Sequence, residues 1–534
     1  MAMTGRRGYR SGLVDLRAGE ISREIFVNED IYAEEQERIF ARAWLHVGHA
    51  SQIPRPGDYF VSSMGEESVI LCRDRADRIH VFLNSCRHRG MKVCRYDEGS
   101  AAVFTCPYHG WSYGTDGRLV GVPYFREAYH SRLDKEKWGL VEVAQLHNYK
   151  GSIWATWDPA APPFTEYLGG FTRYLDLQLD GWDGREGQAE VLGGVQKWLV
   201  PCNWKFPAEN FSGDTYHNIS HRSVDLAGIG PSGAGRRDMG ERDVSRKLHV
   251  CIPDRGHQTI LYVLPAGKSP PPAYRNAPIV AEYFRHCEEE RRRLRGDEAR
   301  LVGAPGEIFP NTALLSRQPR TMAAWHPRGA HQTECWRWFF VDRDAPAEVK
   351  QFLRDYYIRY SGPAGMTEQD DMENWNYAHA ASRGTMRGAT PTTTTRAPAR
   401  PSPTTRTRAS ACPATWSTSP RCSRASSRCA TSTAAGPSSW RPTTGRSSPP
   451  GAAASARRRN EGGRMSAPIN IRDLAPGTSI VLVDGAHAEI VDNPGDGIWL
   501  FGRYLSSPRD PTLVGREEMI FAQDVVALGH STAA

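Results

Sequence analysis

The chain is predicted to be an α+β protein, on three observations. Between residues 45 and 157, short β-type runs are punctuated by Gly, Asp and Arg turns. From 158 to 386, strand-like and helix-like runs alternate. From 388 to 463 no Leu, Ile, Val, Phe, Tyr or Met occurs, and ordinary composition then resumes at Met465. These define five stretches: a helical N-terminal part (1–44), an all-β module (45–157), a mixed domain (158–386), a segment without core-forming residues (387–464) and a small β-rich domain (465–534).

Apolar residues recur at helical spacing from Ile31 to Trp44, predicting a helix there. The all-β module is read from runs such as 59–63, 68–72 and 79–83. A Pro-rich joint, 158–163, ends it. In the mixed domain the runs 188–192, 258–264 and 336–341 read as strands. The charged stretch 281–293 reads as a helix with a solvated face.

Residues 388–463 are almost entirely Thr, Ser, Ala, Pro, Arg and Gly, so they are expected to lack a fixed fold. The run Ala389 to Thr394 also decodes one frame over into Tyr, His, Asn or Asp codons. The segment is therefore expected to be a frame-shifted translation of GC-rich DNA, with Met465 opening a separate downstream frame. Beyond it, runs near 479–483, 488–492, 497–502 and 518–522 predict the small β domain.

The net charge of +7 misleads, because residues 387–464 hold fourteen Arg against one acid and the remainder stands at −6. A mildly acidic bulk argues against nucleic-acid binding. No apolar run approaches a membrane span, and the first twenty residues lack a signal-peptide core, so a cytoplasmic location is expected. Of the 11 Cys, Cys72 and Cys94 lie near the motif described next, and Cys202, Cys251, Cys287 and Cys335 read as buried thiols.

The chemistry is concentrated in two places. Cys86-Arg-His88 and Cys106-Pro-Tyr-His109 are separated by seventeen residues and flanked by Gly90, Gly110 and Trp111. Two thiolates and two imidazoles suit a Rieske [2Fe–2S] centre, in which two His replace two Cys on one iron. Cys₂His₂ also suits tetrahedral zinc. Zinc fingers, however, pair like ligands along the chain, whereas each loop here is mixed. The second place is Glu209-Asn210-Phe211-Ser-Gly-Asp214-Thr-Tyr-His217-Asn-Ile-Ser-His221. If helical, Asp214, His217 and His221 share a face. O₂-activating iron takes two His and one carboxylate; a polar helix face is the plainer alternative. Glu368-Gln-Asp370-Asp371 could supply the carboxylate or could be an acidic helix N-terminus.

With these motifs, residues 25–386 resemble the large (α) subunit of the Rieske-type aromatic ring-hydroxylating dioxygenases. The resemblance implies an all-β Rieske domain inserted in an α/β catalytic domain with an antiparallel, helix-grip-like sheet. It implies mononuclear Fe(II) at His217, His221 and Asp371, with Asp370 as the fallback ligand. It makes Asp214 the link to a neighbouring subunit's Rieske histidines, and Asn210 and Phe211 lining residues near iron and substrate. The interval between His217 and His221 is shorter than is usual in the family. The implied reaction inserts both atoms of O₂ into an aromatic ring to give a cis-dihydrodiol. Electrons would come from NAD(P)H through a ferredoxin or reductase, to an α₃ core with a small β subunit (α₃β₃). A Rieske monooxygenase or O-demethylase, a plain electron carrier, and an inactive frame-shifted product are the alternatives.

Overall fold

The computed structural model describes residues 12–15, 19–212, 214, 216–233, 247–270, 272–316, 318–384, 392–393, 470–493, 499–521 and 524–529. The chain divides into two compact units, Met1–Ala435 and Gly436–Ala534.

In the first unit the helix expected between Ile31 and Trp44 runs over Glu29–Glu35 and widens into a π-type turn over Gln36–Phe40. Asn28 caps it by accepting from the Asp30 and Ile31 N–H groups. Its buried Glu35 accepts from Trp204 Nε1 (2.9 Å) and Lys205 Nζ (2.7 Å), tying this helix to the head of the Lys205–Phe211 helix.

The all-β module rises from a three-stranded base in which Ser152–Thr156 lies between Gln145–Tyr149 and Leu45–His49. Above it stand a four-stranded sheet (Ile79–Leu83, Glu67–Arg73, Asp58–Met64, Glu98–Ser100) and a three-stranded one (Val103–Thr105, Ser112–Gly114, Leu119–Gly121). The first cluster motif follows Ile79–Leu83; the second is the loop joining Val103–Thr105 to Ser112–Gly114. Phe60, Val69, Leu71 and Val81 of this module share one core with Trp325, Trp336 and Trp338 of the mixed domain. Arg328 adds hydrogen bonds to Ser63 Oγ and Gly65 O, and Trp338 Nε1 donates to Gln52 Oε1.

The mixed domain is built on an antiparallel sheet. Its order is Ala189–Val191, Thr333–Asp342, Arg320–Pro327, Thr312–Ser316, Leu301–Ile308, His257–Val263, Lys247–Ile252, with Gln196–Val200 also pairing to Thr333–Asp342. The Lys205–Phe211 helix packs over Leu301–Ile308 and Thr312–Ser316, and it also packs against the Met366–Ser382 helix. The helix expected near 281–293 spans Pro278–Arg295; its charged face carries i,i+4 pairs such as Glu288–Arg292, while Val280 and Cys287 turn inward.

Two expectations need correction. The metal motif is not one continuous α-helix. An α-helix ends at Phe211, His217 and His221 lie on the 3₁₀ helix Tyr216–His221, and a new α-helix starts at Arg222. Ser, Gly and Asp at 212–214 are poor helix formers, which accounts for the break. The expectation that 388–463 lacks structure fails at Thr392–Thr393, which pair antiparallel with Glu20–Ile21. Strand pairing is a backbone interaction and needs no apolar side chain, and β-branched Thr suits it. The rest of 388–463 lies outside the described residues.

The second unit is a five-stranded antiparallel sheet, ordered Glu517–Phe521, Trp499–Ser506, His487–Asp492, Ser479–Leu482, Val525–Leu528. Ile480, Leu482, Ile490, Leu500 and Ile520 form its core.

Candidate metal centres and their residues

The two cysteine–histidine loops are built alike. In each, the Cys N–H donates to the carbonyl five residues on (Cys86 to Met91, Cys106 to Trp111; 2.8 Å each). In each, the Cys carbonyl accepts from the Gly four residues on (Gly90, 2.8 Å; Gly110, 3.0 Å). Both glycines have φ +74°, a conformation that disfavours any side chain. The loops thus have equal length, and Cys86 and Cys106 are buried at their feet. The His88 and His109 rings sit 4.5 Å apart at 72°. Trp111 stacks on His88 at 5.1 Å and 8°.

These residues fit an iron–sulfur cluster. Burial raises the Cys106 thiol above its ordinary pKa, against the N–H groups of Tyr108 and His109, and Cys86 adds to the rise. Two close buried thiols of this kind suit a shared cation. His88 Nδ1 is buried without a hydrogen-bond partner. Tyr113, which the sequence reading did not single out, places its hydroxyl 3.3 Å from Cys86 Sγ and accepts from the Arg87 N–H at 3.1 Å. Its signal was an aromatic residue at a buried position two past Trp111.

In the mixed domain the structure brings His217, His221 and Asp371 together; their donor atoms all lie within 4.8 Å of one another. Asp371 Oδ1 is 3.7 Å from His217 Nε2 and 3.5 Å from His221 Nε2. Those gaps are too long for good hydrogen bonds. They are close to what donors about 2 Å from a common metal would show. Burial pushes the Asp371 carboxyl above its usual range, while the two imidazoles and Arg337 pull it down. Asp371 Oδ1 completes no hydrogen bond. A buried carboxylate oxygen facing two imidazole nitrogens fits a cation.

Each histidine has an acid behind it. His217 Nδ1 lies 3.4 Å from Asp214 Oδ2, and His221 Nδ1 lies 3.3 Å from Asp370 Oδ2. Burial of His217 works to lower its pKa, but Asp214 and Asp371 outweigh it and the net shift is upward. Asp370 also accepts from Ser223 Oγ at 2.6 Å, so it stands behind the imidazole while Asp371 faces its other nitrogen. Ser223 was not legible beforehand; it is two residues past His221 and carries no motif. Asn210 sits half-buried on the last turn of the Lys205–Phe211 helix. Phe211 is buried, its ring 5.3 Å from Trp325. Arg337, wholly buried on a strand, pairs with Glu368 and has its guanidinium 5.5 Å from the Phe211 ring. Its signal was a lone Arg in the aromatic run 336–340.

Comparison with known proteins agrees with this arrangement. Residues 43–145 match the Rieske [2Fe-2S] domain family, and residues 171–396 match the ring hydroxylating alpha subunit (catalytic domain) family, ending past the boundary expected at 387. The biphenyl 2,3-dioxygenase alpha subunit of Rhodococcus jostii is 40% identical over 70% of this chain and 80% of its own length. The benzene 1,2-dioxygenase alpha subunit of Pseudomonas putida is 40% identical over 68% and 80%. Among solved structures, naphthalene 1,2-dioxygenase with indole bound superposes with a TM-score of 0.65 at 31% identity, covering 72% of this chain and 85% of that one. With its Rieske domain and its catalytic domain, and hence a [2Fe–2S] cluster and a mononuclear iron, the chain belongs to the family of aromatic ring-hydroxylating dioxygenase alpha subunits, which are oxidoreductases.

Proposed function

We propose that Cys86, His88, Cys106 and His109 hold the Rieske cluster, and that His217, His221 and Asp371 hold the mononuclear iron of a terminal oxygenase acting on an aromatic hydrocarbon. The observation that carries this reading is the convergence of two imidazole Nε2 atoms and one buried carboxylate oxygen, each imidazole being backed at Nδ1 by a second carboxylate. The iron supplies O₂ activation when bound. The chain's own residues orient and insulate. Asp370 and Asp214 set the two imidazoles so that Nε2 is free to ligate. Phe211 and Asn210 line the approach from the Lys205–Phe211 helix, and the buried wall around Phe211 and Trp325 excludes water.

Asp214 is half-exposed, with 41% of its side chain accessible. A carboxylate that touches a metal-site imidazole and also reaches the surface suits a bridge to the Rieske histidines of a neighbouring subunit. This supports an α₃ assembly, with a small β subunit as in α₃β₃. The electrons would derive from NAD(P)H through a ferredoxin or reductase, and the product would be a cis-dihydrodiol. The relatives named for biphenyl and benzene point to unsubstituted or lightly substituted rings as the first substrates to try.

The test is turnover of biphenyl, benzene and naphthalene with NADH, ferredoxin and reductase under isotopically labelled O₂. Two labelled oxygens in one product are expected. A single labelled oxygen would instead establish a monooxygenase, and no oxygenated product would leave only an electron carrier. The composition of 388–463 also favours a second reading, a chain that joins two reading frames and is inactive as written. Sequencing the gene across those codons decides it.

A further inference from the structure

Trp138 is 36% exposed at the end of the short 3₁₀ helix Lys135–Trp138, and it belongs to neither candidate centre. Its ring meets the buried Trp111 edge-on, with centroids 6.3 Å apart at 89°. Trp111 in turn stacks on His88 at 5.1 Å and 8°. Both separations fall within the range of direct aromatic contact. Two ring contacts therefore lead from solvent to a residue proposed above as a cluster ligand.

Arg87 fixes this arrangement. It lies between Cys86 and His88 in the chain, its Nη1 donates to the Gly139 carbonyl at 3.2 Å, and its guanidinium sits 5.5 Å from the centre of the Trp138 ring. The surface tryptophan is thus held to the first ligand loop itself. That loop is basic: Arg87, Arg89, Lys92 and Arg95 stand between Cys86 and Tyr96 with no acid among them. Tyr108, 59% exposed, covers His109 instead, at 3.9 Å and 30°. On the reading above, that histidine tip is taken up by the bridge to a neighbouring subunit through Asp214, so an electron donor needs a different face.

We propose that Trp138 is the docking anchor at which an acidic one-electron carrier protein meets the Rieske module, with Trp111 joining it to His88. The inference rests on the oxygenase reading above and names the entry face for its electrons. In each encounter one electron leaves the reduced carrier and enters the cluster; no covalent bond forms or breaks. Trp and Arg, here stacked on each other, are residue types enriched where truncation most weakens protein–protein association. The basic loop draws an acidic surface toward them.

The test uses the cluster- and iron-loaded protein and the ferredoxin of the turnover experiment above, reduced beforehand. Bleaching of the cluster absorbance on rapid mixing gives the second-order rate constant, and calorimetry with the oxidised ferredoxin gives the dissociation constant. Trp138→Ala should lower the rate constant and weaken binding by about tenfold each, while Trp138→Phe keeps most of both. Dithionite, which needs no protein dock, should reduce the cluster at the same rate in all three. Trp138→Leu replaces the alanine variant if that one loses its cluster absorbance. The wild-type rate with ferredoxin should fall as salt is raised. Unchanged rate and dissociation constants in Trp138→Ala or its leucine replacement, equal slowing with dithionite, a larger loss in Tyr108→Ala, or a wild-type rate that does not fall with salt each overturns the proposal. If the ferredoxin does not reduce the wild-type cluster at all, the oxygenase reading itself fails, and this inference with it.

Discussion

His221 and Asp370 are joined at 3.3 Å, from imidazole Nδ1 to carboxylate Oδ2, on the side of the ring opposite Asp371. Donation from Nδ1 leaves Nε2 as the ligand nitrogen, so two consecutive acids have opposite duties toward one ring. Asp370→Asn is therefore expected to weaken iron affinity by about 10–100-fold without removing a ligand. His217→Ala, His221→Ala and Asp371→Ala should each abolish mononuclear iron while the cluster spectrum persists. Metal analysis beside visible absorption separates the two centres. Full iron and turnover in His221→Ala would show that the short His217–His221 interval had pointed to the wrong residue.

Asp214→Asn is expected to leave both centres loaded and to lower turnover by orders of magnitude. The residue reaches His217 Nδ1 from a partly exposed position and is not one of the three donors that converge. Single-turnover electron transfer at the normal rate in that variant would remove its bridging role.

The Tyr113 hydroxyl lies 3.3 Å from Cys86 Sγ; with that sulfur a thiolate ligand of the cluster the hydroxyl would donate to it, and a hydrogen bond to a cluster sulfur favours the reduced, more negative state. Tyr113→Phe should lower the cluster potential. His109→Cys should lower it much further, because a thiolate then replaces a neutral imidazole. Redox titration followed by visible absorption reads both shifts; stoichiometric zinc without sulfide in the wild type would discard the cluster assignment altogether.

Acid should destabilise the first unit through buried histidines. Burial lowers His46 to about 3 and His49 to about 4, and it holds His326 well below its usual value. In the unfolded chain the same groups titrate near 6.5. Below that pH the unfolded state binds protons that the folded state refuses. Stability is therefore full above about pH 6.5 and falls as pH drops toward the folded values, by up to ~1.4 kcal/mol per pH unit for each such group. Apparent melting temperatures between pH 7 and 5 should fall, and His46→Phe should flatten the slope. An unchanged slope in that variant would contradict the assignment.

Much of the fold could be read from the chain because its strands are short apolar runs bounded by turn residues. Glu67–Arg73, Ile79–Leu83 and Ser479–Leu482 lie within a residue or so of the runs that announced them. The Rieske domain was legible because Cys-x-His and Cys-x₂-His have few other uses. What escaped was non-local. The 3₁₀ geometry at His217 follows from a break at 212–214 that propensity allows but does not require. The division of labour between Asp370 and Asp371 depends on which way a helix is rotated, which adjacent acids cannot reveal. Trp138 meets Trp111 only in the folded module, since nothing near it in sequence announces a cluster. The strand at Thr392–Thr393 was hidden by a composition that speaks about cores and says nothing of backbone pairing.

The base of the Rieske module has a mechanical meaning. The inserted stretch leaves and re-enters the catalytic unit on neighbouring strands, with Ser152 opposite His49. Phe60, Val69, Leu71 and Val81 continue into the catalytic core without a seam. Among the described residues an arm welded on in this way has no hinge, so the separation of the two candidate centres within one chain is set when the chain folds, and a path that crosses to a neighbouring subunit through Asp214 would be set when the subunits assemble and not during each catalytic cycle. Electron delivery should then behave as a solid-state process, indifferent to the viscosity of the medium, with glycerol slowing the arrival of an external donor and leaving the internal transfer rate unchanged.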